Sequence, residues 1–181
     1  MRPTAVTKVL LLFLGLVVVA GCGSAAPDGP PAIRVGDSVC DECGMIISDE
    51  RFATATIGVG VRGPEPKLFD DFNCQARYEA EHSEMEIVAR WSHDYIGAQW
   101  LRTEQAHFVT SVGLRTPMAS RTVAFAKPED ARALQQSIGG ELLNFDSAWV
   151  RLGSDGACCA GGHENEAGAE QPSAANPAAG L

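Results

Sequence analysis

Short runs in which β-branched or aromatic residues alternate with small or polar ones divide the middle of the chain into strands and helices. Arg51-Phe52-Ala53-Thr54-Ala55-Thr56-Ile57 has this alternation and predicts a strand. Gly63-Pro64-Glu65-Pro66 predicts a loop, and Lys67-Leu68-Phe69-Asp70 a second strand. Asp71 is suited to cap a helix that starts near Phe72 and runs through Cys74, Ala76 and Tyr78 towards His82. Glu86-Ile87-Val88-Ala89-Arg90-Trp91 predicts a third strand.

About 56 residues later the same order returns. His107-Phe108-Val109-Thr110-Ser111-Val112 matches the first strand, with Phe108 in the place of Phe52. Thr122-Val123-Ala124-Phe125 matches the second, with Phe125 in the place of Phe69. Pro128 opens a helix where its missing N–H costs nothing, and Gly139-Gly140 closes it. Glu141-Leu142-Leu143-Asn144-Phe145 is the third strand. The predicted class is therefore α+β, two packed ββαβ units joined by a linker, Asp94 to Leu101, with a helical turn or two that packs Trp100. Each unit alone would bury too little apolar surface, so the two are expected to share a core.

The ends of the chain have different patterns. Arg2 and Lys8 precede the apolar run Val9–Ala20, which is too short to span a bilayer and has the charge order of an export signal. The run ends in Val19-Ala20-Gly21-Cys22, a lipobox pattern. It predicts removal of residues 1–21 and acylation of Cys22, hence a lipid-anchored exported protein; an ordinary cleaved signal with a stray Cys is the alternative. Residues 22–37, rich in Ala, Pro and Gly, predict a flexible tether. Residues 38–152 hold the folded domain, with units at about 38–95 and 96–152, and residues 153–181 predict a disordered tail. A formal charge of -9 and a pI of about 4.8 argue against nucleic acid and anionic lipid as partners.

The candidate chemistry centres on Cys40-Asp41-Glu42-Cys43-Gly44-Met45, which holds two thiols and a thioether. Thiolate and thioether donors together select Cu(I), whereas zinc sites normally combine Cys with His. In an extended chain Cys43 and Met45 would point to one side, with Gly44 allowing close approach of the backbone. A Cys40–Cys43 disulfide beside a buried Met, or an inert core, are the other readings. Six cysteines less the lipid-bearing Cys22 leave an odd number, which argues against a purely structural disulfide framework.

Met118, in the Pro117-stiffened loop Leu114–Ser120, is either packed over the core or presented as a ligand. Cys74 falls in the first turn of its helix, where the dipole favours thiolate; it is either a third thiol near the site or a small core residue. His93 and His107 are further nitrogen candidates against a packing or surface role, and His82 lies among glutamates. Cys158-Cys159-Ala160-Gly161-Gly162-His163 is a metal-prone patch in the tail that either scavenges or delivers copper or has no role, the latter being the default. No Ser-centred elbow, P-loop, dinucleotide loop or H-E-x-x-H occurs, and Asp70-Asp71 reads as a cap rather than an acid–base pair, so a carrier is expected rather than an enzyme.

Four stretches resemble the nitrous oxide reductase accessory lipoproteins, the NosL family. They are Cys40-x-x-Cys43-Gly44-Met45-x-Ile47, Phe69-Asp70-Asp71-x-x-Cys74, Asp94-Tyr95 with Gln99-Trp100-Leu101, and Thr116-Pro117-Met118 followed by Ala124-Phe125. The resemblance implies a Cu(I) chaperone for the periplasmic enzyme that reduces nitrous oxide, served by ABC-transporter-linked maturation machinery. It implies paired ββαβ units likened to part of organomercurial lyase. The metal candidates it carries over are Cys43, Met45 and Met118, with Cys40 as a fourth. The family's Gly-Ser-Gly after Pro-Met is here Ala119-Ser120-Arg121, and Ala and Arg resist positive φ where Gly does not. Gly23 stands where an Asp commonly retains lipoproteins on the inner membrane, which favours the outer one. Two rivals stand beside the chaperone: a thiol–disulfide oxidoreductase using Cys40 and Cys43, and a structural zinc site of Cys40, Cys43, Cys158 and Cys159.

Overall fold

The computed structural model describes residues 28–154; the segment expected to be an export signal, Cys22, and the Cys158–His163 stretch lie outside them. Two antiparallel sheets form the frame. The first comprises β1 (Thr54–Gly60), β2 (Gly63–Phe69), β3 (Ile87–His93) and β4 (Trp100–Arg102), in the order β2-β1-β3-β4. The second comprises β5 (His107–Thr110), β6 (Thr122–Phe125) and β7 (Glu141–Leu143), in the order β6-β5-β7. In each sheet the first strand of the repeat lies between the second and third, and a helix links the last two: α1 (Phe72–Glu81) in the first half, α2 (Pro128–Ile138) in the second. The two ββαβ units of the sequence are thus present with one topology.

The details differ from the sequence reading in four places. Gly63–Pro66, expected as a loop, belongs to β2 and pairs with β1 down to Gly60↔Gly63. Pro64 and Pro66 are tolerated because β2 is an edge strand with no second neighbour that would need their missing N–H groups. The linker makes one helical turn, Ala98 N–H donating to Asp94 O at 2.8 Å, but it also contributes β4, which pairs His93 with Trp100, and a 3-10 turn at Thr103–Gln105 follows. The strand beginning at His107 stops at Thr110. The last predicted strand ends at Leu143, and Phe145 opens a third helix, α3 (Phe145–Ser154). Asn144 Oδ1 accepts the Ser147 N–H at 3.0 Å, a capping bond, and Phe145, Ala148, Trp149 and Leu152 then recur with helical spacing on one apolar face.

That face closes a core shared by both halves. Phe72 and Ala76 from α1 meet Phe108, Ala124, Ala148 and Leu152, with the Phe72 and Phe108 rings edge-to-face at 5.5 Å. Each fully buried phenylalanine contributes about 1.5–3 kcal/mol. Asp94 ties the halves together: Tyr95 N–H donates to Ala124 O at 2.8 Å, and Ala126 N–H to Asp94 Oδ1 at 2.9 Å. The other carboxylate oxygen of Asp94 accepts from Gly97 N–H at 2.7 Å, holding the turn that leads to β4.

Candidate metal centre

The segment Cys40–Met45 is a tight turn rather than a strand. Val39 bridges Ile46, Cys40 N–H donates to Met45 O at 2.8 Å, and Gly44 N–H returns to Cys40 O at 3.0 Å. Gly44 has φ 73, which a side chain would resist. The turn is fastened to the end of β2: Asp41 N–H donates to Leu68 O at 2.8 Å, and Leu68 N–H to Asp41 Oδ2 at 2.6 Å. Ile47, fully buried, anchors its far side.

Fastening the turn there brings it over the first turn of α1. Cys40 and Cys74 are buried, Cys43 is half-buried, none of the three is in a disulfide, and their sulfur atoms lie within 4.8 Å of one another. Phe69 completes the buried floor, and the partly buried side chains packed on it are Cys43, Tyr78 and Met118. Three thiols from the first half and a thioether from the second therefore converge at the junction of the repeats.

The charge in the cluster is unevenly held. The Cys74 thiol donates to Cys40 and, with backbone N–H groups, lowers the Cys40 pKa to about 5 against the opposing effect of burial. Burial pushes Cys43 up to about 11, opposed by a backbone hydrogen bond from Met45 and reinforced by the neighbouring Cys40. At neutral pH Cys40 carries the negative charge while Cys43 keeps its proton. Burial also raises the Asp70 pKa, and Asp70 accepts the Ser48 N–H at 2.8 Å behind the turn.

Met118 is positioned by α1. The Asp71 carboxylate, fully buried, accepts from its own helix at Phe72 N–H at 2.8 Å, which confirms its capping role. Its other oxygen accepts from Thr116 Oγ1 at 2.6 Å, Met118 N–H at 2.9 Å and Ser120 N–H at 3.1 Å. Asn73 Nδ2 donates to Met118 O. Both peptide groups flanking the methionine are thus held by the helix that carries Cys74. Ala119 and Arg121 take φ 61 and φ 54, so the loop keeps left-handed geometry without glycines. That costs roughly 1–2 kcal/mol per residue, which the charge-assisted bonds to Asp71 offset. Replacing Asp71 with Asn is expected to lower stability by about 2–4 kcal/mol, since an amide cannot serve all these donors. Hydrogen exchange at the Met118 and Ser120 amides should accelerate beyond the global change; unaltered local protection would refute the clamp.

Met45 stands beside Cys43, whose thiol its backbone N–H meets, and is 57% exposed, with Gly44 between them at φ 73. The histidines have other surroundings. His107 lies on β5 and lines a separate cavity with Pro128 and Leu142. His82 stacks on Tyr78 with ring centroids 4.0 Å apart. His93 is buried against Trp100, centroids 3.8 Å apart, and its Nδ1–H donates to Ala53 O at 2.8 Å. Burial lowers the His93 pKa below 6.5, against smaller opposing effects of that carbonyl and Glu50. A depressed histidine pKa means that the unfolded chain binds the extra proton first, so stability is full above 6.5 and falls as pH drops below it. His93→Gln is expected to flatten this decline between pH 6.5 and 5.5 in thermal melts. An identical slope in the variant would assign it to other groups.

The family model that matches residues 32–148 is NosL. The chain belongs to the NosL family. The match takes in the cysteine turn, both sheets, α1, α2 and the Met118 loop. The fold is also that of a solved relative, the copper chaperone NosL from Shewanella denitrificans. The two chains are 20% identical and superpose with a TM-score of 0.55 over 67% of this chain and 96% of that one. No curated protein sequence matches the chain.

Proposed function

We propose that this NosL-family protein is a Cu(I) chaperone that holds its ion at Cys40, Cys43 and Cys74 with the Met118 thioether at the rim. The observation that carries the reading is the convergence within 4.8 Å of three thiols, none in a disulfide, with Met118 packed against the buried cluster that holds Cys40, Phe69 and Cys74. Such an all-sulfur set suits a soft, low-coordinate ion better than zinc, whose protein sites use Cys and His. The Cys40 thiolate supplies charge at neutral pH, and further Cu–S bonds release the protons of the remaining thiols.

Cys43 and Met118, less buried than Cys40 and Cys74, form the exchangeable side. An incoming sulfur or nitrogen of a partner can bond to copper there before the first ligand leaves, so the ion is never free. The protein acts as a carrier and not as an enzyme. Acyl chains on Cys22 would hold it on a membrane facing the periplasm, the outer membrane being favoured by Gly23. Its partners are the ABC-transporter-linked maturation machinery and nitrous oxide reductase. Copper-loaded protein mixed with copper-free reductase should restore the enzyme's activity, and Met118→Leu should slow that restoration. No restoration beyond that given by a copper–chelator complex at equal free copper would reject the delivery role.

A further inference from the structure

Resting on the copper reading, we infer that the cavity beside Met118 binds a small carboxylate-bearing thiol that brings Cu(I) to the cluster, with Arg121 holding its carboxylate. The cavity, about 540 Å³, has the size of a small-molecule site. It is walled by the Met118 loop, by Val112 past the end of β5, by Ile138 at the end of α2, and by Arg151 and Leu152 of α3. Met118 belongs to two neighbourhoods, because it lines this cavity and packs against the buried cluster of Cys40, Phe69 and Cys74. A soft atom held in the cavity against Met118 is therefore one thioether away from the thiols.

Charge defines the other end of the ligand. The ionisable residues of the lining are Arg121, Arg151 and Glu141, an excess of positive charge on a chain whose formal charge is -9. Arg151 and Glu141 are paired at 2.8 Å and cancel. The Arg121 guanidinium has no hydrogen bond or ion pair among the described residues. An unpaired guanidinium at a concave site suits a carboxylate, both of whose oxygens it can hold. Val112, 87% exposed, and Ile138 offer apolar surface to the carbon frame between carboxylate and thiol.

The backbone of Arg121 is an independent observation. Its φ of 54 is left-handed, which glycine adopts freely and a long side chain resists. Arg121 N–H donates to Thr116 Oγ1 at 3.1 Å, and Ser111 N–H donates to Arg121 O at 3.0 Å. These bonds belong to the backbone and would serve any residue, so they account for the loop and not for the guanidinium. A strained position that keeps a cation without a partner among the described residues points to a ligand outside the fold.

Delivery is a ligand exchange with no change of oxidation state. With the carboxylate held at Arg121, the Met118 thioether adds to the copper of the incoming thiolate complex. Cys43 forms a Cu–S bond as it gives up its proton, the bond to the incoming thiolate breaks, and that thiolate takes up the proton.

The test uses the full mature chain, reduced and anaerobic, beside Arg121→Gln and Arg121→Gly. S-methylglutathione, which keeps both carboxylates but has no free thiol, is titrated into metal-free protein, and Cu(I)–glutathione then serves as the copper donor. Binding of S-methylglutathione should weaken about tenfold in both variants, and copper uptake from Cu(I)–glutathione should slow by about as much. Uptake from the Cu(I) complex of glutathione diethyl ester, whose carboxylates are masked, should be equal in all three proteins, as should Cu(I) affinity. Arg121→Gly relieves the backbone strain, so its thermal melt should be no lower than that of the parent; a lower one would make the guanidinium a structural group and overturn the inference. No saturable binding of S-methylglutathione to the parent, or equal uptake from Cu(I)–glutathione by parent and variants, would also overturn it and leave the copper reading intact. Failure of the parent to bind Cu(I) from any donor would instead reject the copper reading, and the delivery step with it.

Discussion

Replacing Cys74 with Ala is expected to weaken Cu(I) binding at least a hundredfold, about 2.7 kcal/mol. The substitution acts twice. It removes a buried sulfur that lies within 4.8 Å of both other thiols, so the ion loses one of its donors. It also removes the hydrogen bond that contributes most to lowering the Cys40 pKa to about 5, so burial would then raise that pKa. Ligand loss and a costlier thiolate at Cys40 act in the same direction. The two effects separate experimentally: a competition titration reads the affinity, and the ultraviolet absorbance of thiolate against pH reads Cys40 without metal. Alanine is smaller than cysteine and apolar, so a thermal melt close to that of the parent would exclude a folding defect. Unchanged affinity in a folded variant would show that Cys74 is only a core residue.

Glu79→Ala is expected to lower stability by about 3–5 kcal/mol without touching the thiols. The Glu79 carboxylate is buried on α1 and joins four elements. It accepts from Thr56 Oγ1 of β1 at 2.6 Å, from Arg90 Nε of β3 at 2.8 and 3.0 Å, and from Trp149 Nε1 of α3 at 3.0 Å. Alanine would leave the Arg90 Nε and two further donors without their acceptor, with Glu104 at 3.2 Å from Nη1 as the remaining partner of a largely buried guanidinium. Arg90 also lies over the rings of Phe145 and Trp149, 5.4 and 5.6 Å from their centroids, so its displacement would loosen α3. Urea unfolding measures the loss, and hydrogen exchange in α3 should rise first. A loss below 1 kcal/mol would mean that water replaces these bonds at little cost.

What the sequence made legible was what depends on neighbours along the chain. The ββαβ repeat could be read from the alternation around Thr54 and Phe108, and Asp71 could be read as a helix cap because capping is a local act. The other role of Asp71 could not be read, since its bonds to Thr116, Met118 and Ser120 cross from one repeat to the other. Cys74 illustrates the same limit. Its helix position was evident, but its approach to Cys40 depends on how Asp41 fastens the cysteine turn to β2. The expectation for Met45 rested on an extended chain, whereas Gly44 between it and Cys43 takes φ 73, a local turn that the pattern of thiols and thioether did not show. Asn144 was the available signal for α3, since Asn followed by apolar residues at helical spacing marks a helix start as well as a strand end. No local signal could have paired Glu79 with Trp149, 70 residues away.

Sulfur from this cluster is expected to hold copper. X-ray absorption on the mature chain loaded with one equivalent of Cu(I), beside the Cys43→Ser variant, tests it most directly. The parent is expected to show a low-coordinate Cu(I) edge with a first shell dominated by sulfur, and the variant fewer sulfur scatterers. A first shell dominated by nitrogen or oxygen, or a sulfur shell indifferent to Cys43, would contradict it.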